Sequence, residues 1–315
     1  MALPFARALE SGDLPSIRRA PKAEYHRHHY FGTRIENAER WLGRALDRPV
    51  FPMRGLKEME DYAGRALYPY LRSREACEYI ARAAVEEAIE DGVRRLEMSF
   101  DVRSASHFGT GIEGFSSAIR KLAERHRERI ELRPELGIPR EYVGGGEMVR
   151  RAHAGIESGV FRSIDLYGDE NACSSNAVIP LYEHARSAGM KLKAHLGEFG
   201  GAERVRETAE ALGLDEVQHG IAAAESVDVM RWLSRNRIRL NVCPSSNVML
   251  GAAASLAAHP IRTLFDNGVE VTVNTDDPMI FGHSVSREYL NLFEAGVFSA
   301  AELDAMRIAS IAGQP

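Results

Sequence analysis

Histidines and carboxylates recur beside short apolar runs along this chain. His26-Arg27-His28 stands near the start and His195-Leu196-Gly197-Glu198 past the middle. Gln218-His219-Gly220 follows soon after, and Asn274-Thr275-Asp276-Asp277-Pro278 comes late. Two positions apart on a strand, His26 and His28 point to one face, with Arg27 directed away. Both imidazoles can then reach one metal ion. The pair alone is a weak signal, because buried structural histidines are common and His29 offers a second pairing. His195 and His219 each end a separate apolar run, and Asp276 adds an anionic oxygen. Histidine nitrogen with carboxylate oxygen suits zinc better than iron or manganese. One mononuclear site assembled from several strands points to an enzyme rather than a binding module.

Glu198 lies three residues beyond His195, close enough to approach the metal without being a ligand. A metal lowers the pKa of a bound water to about 7, and a neighbouring carboxyl can pass protons in both directions. Asp276 and Asp277 would point to opposite sides of a regular strand. At a strand end the chain can turn, so one can bind metal while the other faces substrate. Taken alone, Asp-Asp-Pro equally suits a helix N-terminus, where acidic residues favour the helix dipole.

These residues need a scaffold that gathers distant strand ends. Strand patterns occupy 23–28, 93–100, 129–133, 161–167, 191–195, 216–219, 238–242 and 270–274. Helical patterns fill 74–91, 114–128, 140–159, 177–189, 201–212, 226–236 and 260–267. That alternation predicts an α/β chain folded as a (β/α)8 TIM barrel, with 1–315 forming a single domain. The polar residues fall at the C-terminal strand ends, where such barrels build their sites. Segment 32–75 breaks the rhythm. It carries Trp41, Phe51, Met53, Met59, Tyr62, Tyr68 and Tyr70, and reads as a helical insertion after the first strand, a candidate lid or a rim packed on the barrel. Strand parity turns Glu24 and Lys193 into the barrel, where charge must be paired; pairing with each other is one solution.

The 315 residues allow a large core, and a net charge of −5 argues against nucleic-acid or membrane-surface binding. No apolar run reaches the roughly 20 residues of a membrane span. Glu10, Asp13 and several arginines interrupt residues 1–20, so no signal-peptide core is present. The three cysteines, Cys77, Cys173 and Cys243, form no CxxC pair and read as packed, reduced thiols of a cytoplasmic protein. A small-molecule substrate is expected, and a homo-oligomer is left open.

Several blocks resemble the adenosine/adenine deaminase family in residues and in order. They are 21–28 through His26-Arg27-His28, Ile164-Asp165-Leu166-Tyr167-Gly168-Asp169-Glu170, His195-Leu196-Gly197-Glu198, Gln218-His219-Gly220, Val242-Cys243-Pro244-Ser245-Ser246-Asn247 and Asn274-Thr275-Asp276-Asp277-Pro278. The resemblance covers the chain from about Pro21 to its end. It implies a barrel with one zinc ion per chain that hydrolyses an exocyclic amine from a purine ring. It makes His26, His28, His195 and Asp276 zinc ligands. Glu198 would protonate the ring nitrogen, and His219 would orient the water and help deprotonate it. Asp277 and the Gly168 backbone would contact the purine. The chain departs from the family after the HxH pair. There the family usually has an acid that contacts ribose, and this chain has His29-Tyr30-Phe31-Gly32. His29 and Tyr30 are therefore candidate substrate contacts for a different substituent, and adenosine is expected to be a poor substrate. Arg27 and Arg34 are nearby candidates for an anionic group. The alternative is another metal-dependent amidohydrolase acting on a non-purine amino-heterocycle or cyclic amide.

Overall fold

A computed structural model of the chain describes residues 3–312, so both ends of the expected 1–315 span lie outside the described residues. Eight parallel strands run in the order β1 to β8. They are β1 (Lys22–Glu24), β2 (Val93–Asp101), β3 (Glu131–Pro139), β4 (Ser163–Tyr167), β5 (Lys191–Leu196), β6 (Glu216–His219), β7 (Arg239–Val242) and β8 (Val271–Val273). Beyond β8 the chain meets β1 again. The N–H of Asp276 donates to the carbonyl of His26 (3.1 Å), and that of His28 donates to the carbonyl of Asp276 (3.1 Å). These bonds bring the first and last strands together in a nearly closed TIM barrel. All strand C-terminal ends face one mouth.

Local chemistry explains the elements. The helix Arg74–Glu90 starts at Ser73, whose side chain accepts from the N–H of Ala76, and it buries Ile80, Ala84, Val85 and Ala88 against the barrel. Strand residues Leu96, Met98, Leu136, Ile164, Leu192, Val217 and Leu240 are almost fully buried, as parallel strands covered on both faces should be.

Three expectations change. The third strand is longer than 129–133 and runs to Pro139, with only a 3-10 turn and the shorter helix Gly146–Glu157 in place of 140–159. Pro134 and Gly137 look like breakers in sequence. In the barrel the Pro134 carbonyl still accepts from Arg162 (2.7 Å). At Gly137 a Cβ would come 2.7 Å from the Ser99 hydroxyl, so only glycine allows that approach. Second, the regular part of β1 stops at Glu24, and the histidine pair lies in its extension. Third, Glu24 and Lys193 do not pair with each other. Lys193 bonds Glu97, Glu135 and, at 3.1 Å, Glu216, while Glu24 bonds Arg27 at 2.9 Å. Strands β1 and β5 stand on opposite sides of the barrel, so nearer carboxylates on β2, β3 and β6 reach the lysine first.

The insertion contributes the helices Ile35–Leu42, Leu56–Ala66 and Tyr68–Leu71. No described helix is long and apolar enough to cross a membrane.

Candidate active site

The extension of β1 carries His26 and His28 to the mouth. The end of β5 supplies His195, the end of β6 His219, and the turn after β8 Asp276. His219 and Asp276 have positive φ values of 63° and 66°. Non-glycine residues rarely adopt that region, and such strain collects at functional sites. It aims both side chains back over the barrel axis.

Four donor atoms converge. His28 Nε2 lies 3.1 Å from His195 Nε2, Asp276 Oδ1 lies 3.4 Å from His28 Nε2, and His26 Nε2 lies 3.5 Å from Asp276 Oδ1. Tetrahedral zinc with bonds of ~2.0–2.1 Å places its ligand atoms ~3.3–3.4 Å apart. The outer nitrogens of His26 and His195 are committed elsewhere. His26 Nδ1 sits 3.2 Å from the Asn241 carbonyl, and His195 Nδ1 3.0 Å from Asp165, which also accepts from Ser99 (2.8 Å). Those partners hold the protons on Nδ1 and leave the Nε2 lone pairs directed at the centre. His26 Nε2 is buried with no hydrogen-bond partner, as an atom awaiting a cation would be. The residues therefore fit a metal site. Cys243 is adjacent to His26 and Asp276, and burial pushes its thiol well above its ordinary range.

Glu198 faces this centre, with Oε2 3.5 Å from His219 Nε2. Burial, then the charge of Asp276, pushes its carboxyl well above the usual range. Asp277 is also raised, by burial and then by Asp276, and its Oδ1 is buried without a partner. A cavity of about 370 Å³ opens above these groups. Gly168 lies on its wall at φ +96°, where a Cβ would strike the Glu141 carboxylate.

His29 and Tyr30 line the cavity too. His29 stacks on Phe100 (5.1 Å between centroids), and its Nδ1 accepts the N–H of Asp101 (3.3 Å). Both ring nitrogens are engaged, since Nε2 lies 3.4 Å from Ser104. Tyr30 sets its ring beside Tyr68 and its hydroxyl 3.3 Å from His107. Arg27 and Arg34 do not await an anion. Arg27 is buried on Glu24, and Arg34 bonds Glu87 at 2.6 Å. From the insertion, Leu56, Met59, Glu60 and Tyr68 reach the cavity wall.

Two residues to which sequence reasoning gave no role bear on the site. Glu170 accepts four backbone N–H groups of residues 197–200, and Asn247 Nδ2 donates to Glu198 Oε1 at 2.9 Å. Both lie in blocks that carried the family resemblance. Spacing alone cannot show Glu170's task, because its partners are main-chain groups.

Comparison with known proteins agrees with this geometry. The adenosine deaminase family model matches residues 59–314. A relative from Treponema pallidum described as a putative adenosine/adenine deaminase is 35% identical over 296 residues, covering 93% of this chain and 98% of the relative. The structure of adenine deaminase from Arthrobacter aurescens is similar at a TM-score of 0.77 and 25% identity, covering 92% of this chain and 93% of that one. An amidohydrolase of Burkholderia ambifaria with bound Zn shares the fold at a TM-score of 0.77 and 21% identity, covering 100% and 89%. A barrel whose strand ends gather such a cage beside a raised carboxyl, matched by that family over most of its length, is a hydrolytic deaminase: the chain belongs to the adenosine deaminase family.

Proposed function

We propose that this enzyme removes the exocyclic amine of an aminopurine, using one zinc ion held by His26, His28, His195 and Asp276. The observation that carries this reading is the chain of donor atoms His26–Asp276–His28–His195, successive members 3.1–3.5 Å apart, with Glu198 Oε2 3.5 Å from His219 beside it. Zinc in this cage supplies a water activated for attack at neutral pH. The raised pKa of Glu198 makes it a proton donor, so its carboxyl protonates the ring nitrogen as the water oxygen adds to the amine-bearing carbon. The resulting Glu198 carboxylate takes one proton from that oxygen and passes it to the amine, then takes the oxygen's second proton as the carbonyl forms, which restores the protonated acid. The C–N bond breaks, ammonia leaves and a ring carbonyl remains. Asp277 offers its free Oδ1 to a ring N–H, and the Gly168 backbone borders the ring's other edge. The zinc-bound fold relative supports the choice of metal.

For the substituent, the wall beside His29 and Tyr30 favours a base that carries no ribose recognised through a carboxylate. Tyr30 and Tyr68 present rings there. Asp101, the acid that β2 brings to the same wall, is taken by Arg103, whose Nε lies 2.8 Å and Nη2 2.7 Å from Oδ2. With Asp101 so engaged, recognition of a hydroxyl at this part of the wall is weakened. A rival two-metal mechanism with a bridging carboxylated lysine finds no support, since Lys193 is buried among three carboxylates.

Ammonia release on a panel of adenine, adenosine, N-substituted purines and nucleosides with altered sugars tests the reading. Adenosine should be at least tenfold poorer in kcat/KM than the preferred substrate. A kcat/KM for adenosine near ~10⁶ M⁻¹s⁻¹, with all others well below, would show the account of Tyr30 to be wrong. No release from any purine would remove the purine assignment.

A further inference from the structure

His259 has had no part in the chemistry so far. It is buried (3% exposed) and is not among the residues lining the cavity. Its Nδ1 accepts the backbone N–H of Ile261 at 3.1 Å. A backbone N–H can only donate, so Nδ1 is the bare nitrogen and the neutral ring carries its proton on Nε2. Burial pulls this imidazole down to about 4, which keeps it neutral at physiological pH.

Nε2 faces Asn247 Oδ1 at 3.3 Å. A donor there orients the amide, with oxygen toward His259 and NH2 toward the site. The two N–H bonds of that NH2 have two partners: Glu198 Oε1 at 2.9 Å and His219 Nδ1 at 3.1 Å. An amide nitrogen donates and does not accept. His219 Nδ1 must therefore be the acceptor, and the neutral His219 ring holds its proton on Nε2. That atom points into the centre, 3.5 Å from Glu198 Oε2 and 4.0 Å from Asp276 Oδ2.

We propose that His259 and Asn247 are positioning residues that lock His219 as an Nε2–H donor and hold Glu198 beside it. The proton inventory runs without a gap from a main-chain N–H to the two groups that face the substrate. In that state His219 stabilises negative charge on the attacking oxygen by donating a hydrogen bond. Accepting the proton falls to Glu198. This inference rests on the deaminase reading above; it keeps the role given there to Glu198 and makes His219 a donor in place of the deprotonating role the resemblance implies.

The test is made in the full-length, metal-loaded enzyme. His259→Phe keeps a ring but removes the donor, and kcat should fall by ~10–100-fold, as for other outer partners of such centres. KM should stay within about threefold. His259→Gln retains a donor and should recover most of the loss. Nitrogen-15 NMR of labelled histidines reads the tautomer directly. His219 should be protonated at Nε2 in the wild type and shift to Nδ1 in Asn247→Asp, where an acceptor replaces the amide. That second variant is nearly isosteric and decides the matter if His259→Phe does not fold. Wild-type His219 protonated at Nδ1, or full kcat in His259→Phe, would overturn the proposal. A fully active Glu198→Gln would instead remove the proposed role of Glu198 and leave the tautomer result standing.

Discussion

The Glu170 carboxylate and the Glu198 backbone are bonded to each other across the loops that follow β4 and β5. Oε2 of Glu170 accepts the N–H of Gly197 at 2.8 Å, and Oε1 accepts those of Glu198, Phe199 and Gly200, each at 3.1 Å. One buried carboxylate thus absorbs four main-chain donors and sets the path of the segment that carries the proposed acid. Glu170→Gln puts an amide NH2 against donors and should loosen that segment. Misplacing a reacting group by about 1 Å can cost ~100-fold in rate, so kcat should fall by at least ~10-fold, with a smaller change in KM. Steady-state kinetics check this, and unchanged kcat would remove Glu170 from the positioning of Glu198.

Glu198 itself is tested by Glu198→Gln, which should keep fold and metal. Its kcat should drop by at least ~100-fold, the low end for general acid–base catalysis. Turnover near wild type would exclude it as the proton carrier.

Asp276 is the only carboxylate of the proposed cage and lies 3.4–3.5 Å from two of its histidine nitrogens. Asp276→Ala should lower bound metal and abolish turnover. Chelation should inactivate the wild type, and added zinc should restore it. Elemental analysis finding two metals per chain at full activity would sink the mononuclear assignment.

Lys193 is fully buried, with Glu97, Glu135 and Glu216 around its ammonium. Removing one partner of a buried ionic cluster strands the others, at roughly 3–5 kcal/mol. Lys193→Met should lower unfolding stability by that order in denaturant titration. Lys193→Met combined with Glu135→Gln should recover part of the loss.

Glu288 accepts the N–H of Ser245 at 3.1 Å, and burial pushes its carboxyl up to about 8. In the unfolded chain it titrates near ~4.3. A raised acid contributes its full stability below the unfolded value, and that contribution is lost as pH climbs toward the folded one. Glu288→Gln removes this loss while keeping an acceptor. The variant should gain Tm relative to wild type as pH rises from 5 to 8, with little difference at pH 4. A gap that shrinks over that range would refute the assignment.

The eight-strand alternation, the barrel mouth and the convergence of His26, His28, His195, His219 and Asp276 were legible in sequence. Each rests on local pattern: apolar runs of strand length, with polar residues at one end. The partners of long charged side chains were not legible. Lys193 and Glu24 share a parity but lie across the barrel, and only closure of the ring sets which carboxylates reach the ammonium. Arg27, a candidate for an anionic group, is instead buried on Glu24, three residues before it on the same segment. The length of β3 was hidden by Pro134 and Gly137, whose tolerance depends on neighbours contributed by β2 and β4. Glu170 acts on main-chain groups 27 to 30 residues away, Asn247 on the side chains of Glu198 and His219, and His259 on Asn247 12 residues before it. A hydrogen bond selects its partner by distance and direction over about 3 Å, and those are properties of the folded barrel that no spacing along the chain encodes.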